Sequence, residues 1–229
     1  GESFPIVIDV FDDLGITVIG AGGGASQISV PPGSDFLRTQ EFVNGAVNAS
    51  GLSIDGGFLP PLLGAIQPGY ILDCDGAESI SILDNEVLDF GLLKLDYSGY
   101  SVSTHPDQAV LIEGNTVVNG DRVVRASFYH SSGLLVSTLN VDFTVRGNSF
   151  SGVSDEPVEF EFDVTSATGA AEVNVLIEEN QMVDCSSLVE IDVSFGGYAG
   201  DFSGDYALTF RNNEMENCGG GLDEYYFAE

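Results

Sequence analysis

Two histidines, three cysteines and many carboxylates are the residues of this sequence that could carry out chemistry. His105 precedes Pro106 in a polar segment, and His130 ends the strand-like segment 123–129. Histidine is the usual general acid or base near neutral pH. Neither histidine has a partner in the sequence that would orient it, so we expect both to be ordinary surface residues.

Several acidic residues occur as close pairs. Two carboxylates at a defined separation in space can hydrolyse glycosidic bonds or bind Ca²⁺. The sequence does not determine that separation, and 36 acidic residues make close pairs common. We therefore expect solvated acidic faces, and Ca²⁺ is the one cofactor that the pairs leave open. The pairs are Asp12 with Asp13, Asp73 with Asp75, Asp155 with Glu156, and Glu159 with Glu161.

The charge balance excludes several classes of partner. Against 36 acidic residues the chain has 6 basic ones, a net charge of −30. Such a surface repels nucleic acid and anionic lipid, so neither is expected to bind. The segment Gly20-Ala-Gly-Gly-Gly24 follows a strand-like run, as a phosphate-binding loop does, but it lacks the Lys-Ser/Thr ending. A tight turn is the better interpretation of these glycines.

The environment of the protein is also predicted by its composition. A strongly acidic surface repels itself and is more stable in salt or with divalent cations. No stretch approaches the roughly 18 consecutive apolar residues that span a bilayer, so membrane insertion is not expected. We expect an extracellular or cell-surface protein.

Five segments share a pattern with asparagine at one fixed position. The pattern is apolar, any, apolar, any, any, Asn, any, apolar, and its asparagines are separated by 30, 33, 32 and 33 residues, by subtraction. A fixed period of this length is typical of a solenoid. The asparagines are Asn85, Asn115, Asn148, Asn180 and Asn213.

Each position of the pattern has a physical interpretation. The two apolar residues alternate with period two, so both point to the inner face of a short strand. Asparagine tolerates the left-handed backbone conformation that a sharp corner needs. The last apolar residue points inward again beyond the corner. Copies stacked about 4.8 Å apart would bury a common core and align the asparagine amides as a hydrogen-bonded ladder.

The residue two positions before the asparagine gives a second prediction. It is Glu113, Arg146, Glu178 and Arg211 in four successive repeats. If the repeats stack in register, these side chains form a column of alternating charge. Exposed ion pairs contribute about 0–1 kcal/mol each, so the column specifies the register more than it stabilises the fold.

Two of the cysteines occupy equivalent positions, because Cys185 and Cys218 each lie five residues after a ladder asparagine. Stacking would bring them within disulfide distance, although in-register parallel neighbours make a strained bond. Two buried thiols are the alternative, and the sequence leaves both open. Cys74 has no counterpart in the repeat, and three scattered cysteines do not predict a metal site.

Alternating apolar residues beyond each corner predict a second sheet, as at Val158, Phe160, Phe162 and Val164. The chain is thus predicted to be all-β, a right-handed parallel β-helix of about seven rungs. We expect one domain, residues 1–229, with regular rungs from residue 79 onward.

Residues 1–78 are less regular and are interpreted as degenerate rungs with insertions. In the first, Ile16-Thr-Val18 is followed by Gly20-Ala21, and in the second, Leu52-Ser-Ile54 is followed by Gly56-Gly57. In both, small residues would replace the asparagine. A separate N-terminal subdomain is the alternative.

The asparagine-centred segments resemble the right-handed parallel β-helix superfamily, the pectate-lyase-like group of secreted carbohydrate-active enzymes, adhesins and phage tailspikes. The resemblance covers residues 80–215 and concerns the fold, which carries many unrelated activities. Enzymes of the family that split acidic polysaccharides use Lys or Arg near carboxylate-bound Ca²⁺. The sequence shows no comparable basic cluster.

Three function classes follow, and the first is favoured. It is a non-catalytic structural or adhesive module that self-associates into a filament, a surface layer or a virion appendage. Its support is that Cys218-Gly-Gly-Gly221 leads into strand-like residues 222–227 without an amphipathic capping helix, and open sheet edges pair with other chains. The other classes are a carbohydrate-active enzyme and a domain that binds glycans or Ca²⁺ without turnover.

Overall fold

The computed structural model describes residues 6–8, 15–21, 27–31, 33–39, 43–57, 69–98, 107–130, 133–134, 139–187 and 189–228. Within these ranges the regular structure is entirely β-strand, with no helix. The strands are β1 (Ile6–Ile8), β2 (Ile16–Ile19), β3 (Gln27–Ser29), β4 (Leu37–Thr39), β5 (Val43–Ser50), β6 (Ser53–Asp55), β7 (Tyr70–Cys74), β8 (Ala77–Leu83), β9 (Glu86–Leu88), β10 (Gly91–Ser98), β11 (Gln108–Glu113), β12 (Thr116–Val118), β13 (Val124–His130), β14 (Gly133–Leu134), β15 (Leu139–Arg146), β16 (Ser149–Ser151), β17 (Val158–Glu178), β18 (Gln181–Val183), β19 (Val189–Arg211), β20 (Glu214–Glu216) and β21 (Leu222–Ala228).

The strands stack into a parallel β-solenoid with three faces, and every strand pair in the described ranges is parallel. Face A contains β1, β4, β7, β10, β13, the first halves of β17 and β19, and β21. Face B contains β2, β5, β8, β11, β15 and the second halves of β17 and β19. Face C is the short face and contains β3, β6, β9, β12, β16, β18 and β20. The predicted all-β solenoid is confirmed.

The core lies between the three faces and is filled by the alternating apolar residues. Along β15, Val141, Phe143 and Val145 are buried while the residues between them are not. Aromatic rings also stack behind face A, where the centroids of Phe128 and Phe160 are 5.6 Å apart. One strand could not bury its own apolar side, but stacked strands bury it against the neighbouring faces.

Sharp corners at both ends of face C rest on residues with a left-handed backbone. At the corner between faces B and C, the left-handed residue directly precedes the asparagine, for example Gly147 (φ 62°) before Asn148 and Glu179 (φ 58°) before Asn180. The prediction that the asparagine itself adopts this conformation is therefore wrong. The preceding residue turns the chain, which leaves the asparagine side chain free to point into the corner.

The second N-terminal rung is aligned differently from the prediction. Val47 and Ala49 stack under Ile80 and Ile82, so Leu52 occupies the ladder position. Gly56-Gly57 forms the next corner rather than the ladder corner. The interpretation was wrong because an apolar Leu52 fills the position and hides it from a search for small or polar residues. In the first rung the backbone N–H of Gly20 donates to the carbonyl oxygen of Ser50. Gly20 therefore stacks on the corner residue Gly51, and Ala21 occupies the ladder position.

Candidate functional site

The ladder asparagines form a continuous hydrogen-bonded column inside the corner between faces B and C. The Nδ2 group of Asn115 donates to Oδ1 of Asn148 at 2.9 Å, and the backbone N–H of Asn115 donates to the same oxygen at 2.9 Å. Nδ2 of Asn115 also donates to the carbonyl oxygen of Ile82 at 2.8 Å. The same pattern joins Asn85 to Asn115, Asn148 to Asn180 and Asn180 to Asn213. Buried amides with all their partners stabilise a unique register, and they leave no free group for catalysis.

The four residues of the charge column stack in register on the outside of face B. Arg146 Nη2 lies 3.0 Å from Glu113 Oε2, and Arg211 Nη2 lies 2.6 Å from Glu178 Oε2. Arg146 and Glu178 are opposite each other in adjacent strands, but no ion pair joins them among the described residues. The column therefore consists of two ion pairs, one above the other.

A cluster of three cations lies on the outside of face A, and the sequence analysis missed it. Lys94 and Arg125 are opposite each other on β10 and β13, and Arg122 lies just before β13. Lys94 and Arg125 are 31 residues apart, by subtraction, and this spacing of about one repeat was the available signal. Each cation is paired with carboxylates, including Asp73 beside Lys94. Representative pairs are Lys94–Asp96 at 3.0 Å, Arg122–Asp155 at 3.0 Å, Arg122–Glu156 at 3.1 Å and Arg125–Glu159 at 3.5 Å.

Beyond the cations, face A becomes purely acidic. Glu159 lies opposite Glu190, and Glu161 lies opposite Asp192. Together with Asp163 these residues form what we call the carboxylate patch, and no Lys or Arg occurs on the face A segments of β17, β19 or β21. Stacking has put like charges side by side, which is unfavourable.

Three carboxyl groups of the carboxylate patch have raised pKa values. Burial raises the pKa of Glu159, with Arg125 and Arg122 acting in the opposite direction. Burial and the charges of Glu161 and Asp192 raise the pKa of Asp163, and burial and Glu161 raise that of Asp192. Glu159, Asp163 and Asp192 therefore bind protons more readily than ordinary exposed carboxylates do.

Ser127 lies on the outward side of face A, in register with Glu161, and its side chain is fully buried. Its hydroxyl group has no hydrogen-bond partner among the described residues. Because solvent does not reach this hydroxyl, it is not an accessible nucleophile.

Cys185 and Cys218 stack on adjacent rungs, as the backbone hydrogen bond from Gly219 to Cys185 requires, but both are free thiols. The two sulfurs are not bonded to each other, and each thiol donates to a backbone carbonyl oxygen, Cys185 to that of Val183 and Cys218 to that of Met182. Burial, followed by the neighbouring Cys218, raises the pKa of Cys185 to about 12. Cys74 is buried, and burial raises its pKa to about 12.

Several of the other candidate residues lie outside the described part of the chain. His105 and Asp12 with Asp13 lie outside the described residues, as do residues 22–24 of the glycine-rich segment. The backbone of His130 pairs with Val164, and its side chain lies outside the described part. Asp75 lies next to Asp73 and Asp96, and burial raises its pKa.

The first and last described rungs are the places where the core reaches solvent. We call residues 202–211 of β19, together with β20 and β21, the terminal rung, and β1, β2 and β3 the first rung. Tyr226 is 51% exposed and stacks on Tyr206 with ring centroids 5.4 Å apart. The hydrophobic side chains that pack on the core but stay partly exposed belong to these two rungs. They are Ile16, Val18, Ile28, Tyr206, Leu208, Phe210, Met215, Cys218 and Leu222.

The described residues contain no group of three or more His, Cys, Asp or Glu side chains arranged to hold a metal ion. They also contain no helix long and apolar enough to cross a membrane. No protein-family model matches the chain, and no significantly similar curated protein or solved structure was found.

Proposed function

We propose that the protein is a non-catalytic structural or adhesive module of the extracellular space or cell surface, and that it self-associates through the ends of its solenoid. The observation that carries this proposal is the terminal rung, whose inward row of Leu208, Phe210 and Met215 is only partly buried. The edges of β20 and β21 have a partner strand on one side only in the described chain. An apolar row beside open sheet edges is a template for another chain.

The polar groups of the solenoid support a structural role. All six Lys and Arg side chains are in ion pairs with carboxylates. The ladder asparagines are satisfied by one another and by backbone groups. Polar groups that are paired with one another make the solenoid rigid. We also propose membership of the pectate-lyase-like group, supported by the asparagine ladder and the three-faced parallel stack.

The test compares the association of the wild type with that of two charge-matched variants. Phe210→Asp places a charge in the apolar row, and Thr209→Asp places the same charge on the neighbouring exposed side. We expect Phe210→Asp to raise the dissociation constant about tenfold or more, because the charge must be buried in the joint, and Thr209→Asp to change it little. Sedimentation velocity and electron microscopy measure association at NaCl concentrations from about 0.1 to 1 M. The salt screens the repulsion between copies that each carry a net charge of −30.

Circular dichroism and a melting curve are the control that tests whether both variants are folded. If Phe210→Asp unfolds the terminal rung, Leu208→Asp provides a second variant of the same row. A wild type that stays monomeric at every salt and protein concentration overturns the proposal, as do equal effects of the two charges.

A carbohydrate-active enzyme or glycan-binding domain is the second candidate, favoured by the cations Lys94, Arg122 and Arg125 beside carboxylates on face A. Reducing-sugar release from a glycan panel tests for turnover, and a glycan array tests for binding. Activity lost in Arg125→Gln but retained in Arg211→Gln would support this candidate.

A further inference from the structure

We propose that the joint between copies is head-to-tail, with the terminal rung of one copy stacked on the first rung of the next. This inference rests on the proposed self-association and adds its partner surface and its polarity. A heterologous joint of this kind does not close on itself, so it generates an open filament.

The inward columns of the solenoid provide the first argument. Three columns of faces B and C continue in register from the first rung to the terminal rung, and the residues at their two ends are apolar and partly buried. If the next copy continues the stack, each column meets its own beginning, so that apolar side chains cover each other as they do inside the molecule. The columns run from Ile16 to Leu208, from Val18 to Phe210 and from Ile28 to Met215.

Strand direction provides the second argument. Every described strand pair is parallel, including the outermost pairs β1 with β4 and β19 with β21. A head-to-tail copy adds strands in this same direction on all three faces, with β1 on β21, β2 on β19 and β3 on β20. A tail-to-tail copy would present antiparallel strands and would place faces of different length on one another.

Charge provides the third argument. Residues 202–211 of β19, together with β20 and β21, carry five carboxylates and one cation, Arg211. One of the carboxylates, Glu224, lies at the inward position opposite Ile191. By contrast, β1, β2 and β3 contain no charged residue. Tail-to-tail contact therefore places acidic strands against acidic strands, whereas head-to-tail contact places acidic strands against strands without charge. The carboxylates are Asp205, Glu214, Glu216, Asp223 and Glu224.

A mixing experiment reads the polarity directly. In the Phe210→Asp variant only the first rung can stack on another copy. In the Val18→Asp variant only the terminal rung can do so. In a head-to-tail joint each variant alone is monomeric, and an equimolar mixture forms a dimer that contains one copy of each and grows no further. Sedimentation velocity gives the size, and native mass spectrometry of one isotope-labelled variant gives the composition. Thr17→Asp, on the exposed side of β2, is the matched control for Val18→Asp.

The other outcomes of the mixing experiment distinguish a different joint from the absence of association. Dimers of Val18→Asp alone indicate a tail-to-tail joint, and dimers of Phe210→Asp alone indicate a head-to-head joint; either overturns this inference and leaves self-association standing. If the wild type associates and the mixture does not, the joint is elsewhere and the inference fails. If the wild type never associates, the proposed function fails first.

Discussion

Asn148 and Asn180 stack at an inner corner, whereas Glu161 and Asp192 stack on the outer surface of face A, and in both places the side chains repeat from rung to rung. Stacked amides donate and accept, so each asparagine satisfies the next. Stacked carboxylates only accept, so each repels the next. The same parallel register therefore produces a continuous stabilising ladder at one position and a strained acidic surface at the other.

Parallel stacking brings equivalent side chains together in every column. The residue type decides whether this contact stabilises or destabilises the fold. Where cations alternate with acids, as in Glu113 with Arg146 and Glu178 with Arg211, the column becomes ion pairs. With six cations in the sequence, most acidic positions stay without one.

Breaking the asparagine column is expected to have the largest effect. Asn148→Ala removes an acceptor of two hydrogen bonds from Asn115 and leaves a buried backbone N–H without a partner. We expect the free energy of unfolding, measured with urea, to fall by about 3 kcal/mol. Asn213→Ala, in the partly exposed terminal rung, should cost about 1 kcal/mol because water replaces the lost bonds. Equal losses would contradict the role of the buried column.

Acidification is expected to stabilise the protein through the carboxylate patch. Burial holds the pKa of Glu159, Asp163 and Asp192 above its ordinary value. The folded state therefore binds more protons than the unfolded state, so stability rises as the pH falls from neutrality towards the ordinary carboxyl pKa of about 4. Melting temperatures measured between these limits, in high salt to screen long-range repulsion, check this effect. Asp163→Asn with Asp192→Asn should flatten the slope, and a slope that the double variant leaves unchanged would assign the effect elsewhere.

The corner beside the ladder offers a stabilising change. Glu179 has a left-handed backbone (φ 58°) where the preceding rungs have Gly147 and Gly114. Glu179→Gly should raise the free energy of unfolding by about 0.5–1 kcal/mol, because glycine adopts this conformation without steric cost. Asp84→Gly should gain less, since aspartate tolerates it better. A loss of stability in Glu179→Gly would show that the glutamate side chain makes a larger contribution than its backbone strain costs.

Removing one like-charged neighbour should have the smallest effect. Asp192→Asn relieves the repulsion from Glu161 across the strands and should raise stability by roughly 0.5 kcal/mol at low salt. The gain should vanish at high salt. Glu86→Gln removes the same charge where the neighbours are Ser53 and Thr116, so it should change stability little. Identical gains would point to net charge instead of local pairing.

The sequence predicted the repetitive part of the fold well because the repeat is a direct record of stacking. An apolar pair, a corner and an asparagine recur together only if neighbouring rungs need the same groups at the same height. The prediction failed at Leu52. This apolar residue occupies the ladder position of its rung in place of asparagine, and the chain still turns at the corner. The backbone N–H of Leu52 donates to Asn85 Oδ1, a contact that residue type alone does not reveal.

By itself the sequence determined the period, the inward face of each strand, the asparagine column and the strongly acidic surface. All four follow from residue type and spacing within one repeat. Only the tertiary structure decided that Lys94, Arg122 and Arg125 meet on one face and that Cys185 and Cys218 are free thiols. It also decided that Glu161 and Asp192, beyond Glu159, stack on each other with no ion pair to a cation among the described residues. These features depend on which residues of different rungs lie opposite each other and on how deeply they are buried, because charge interactions and thiol geometry are set by distance in space and not along the chain.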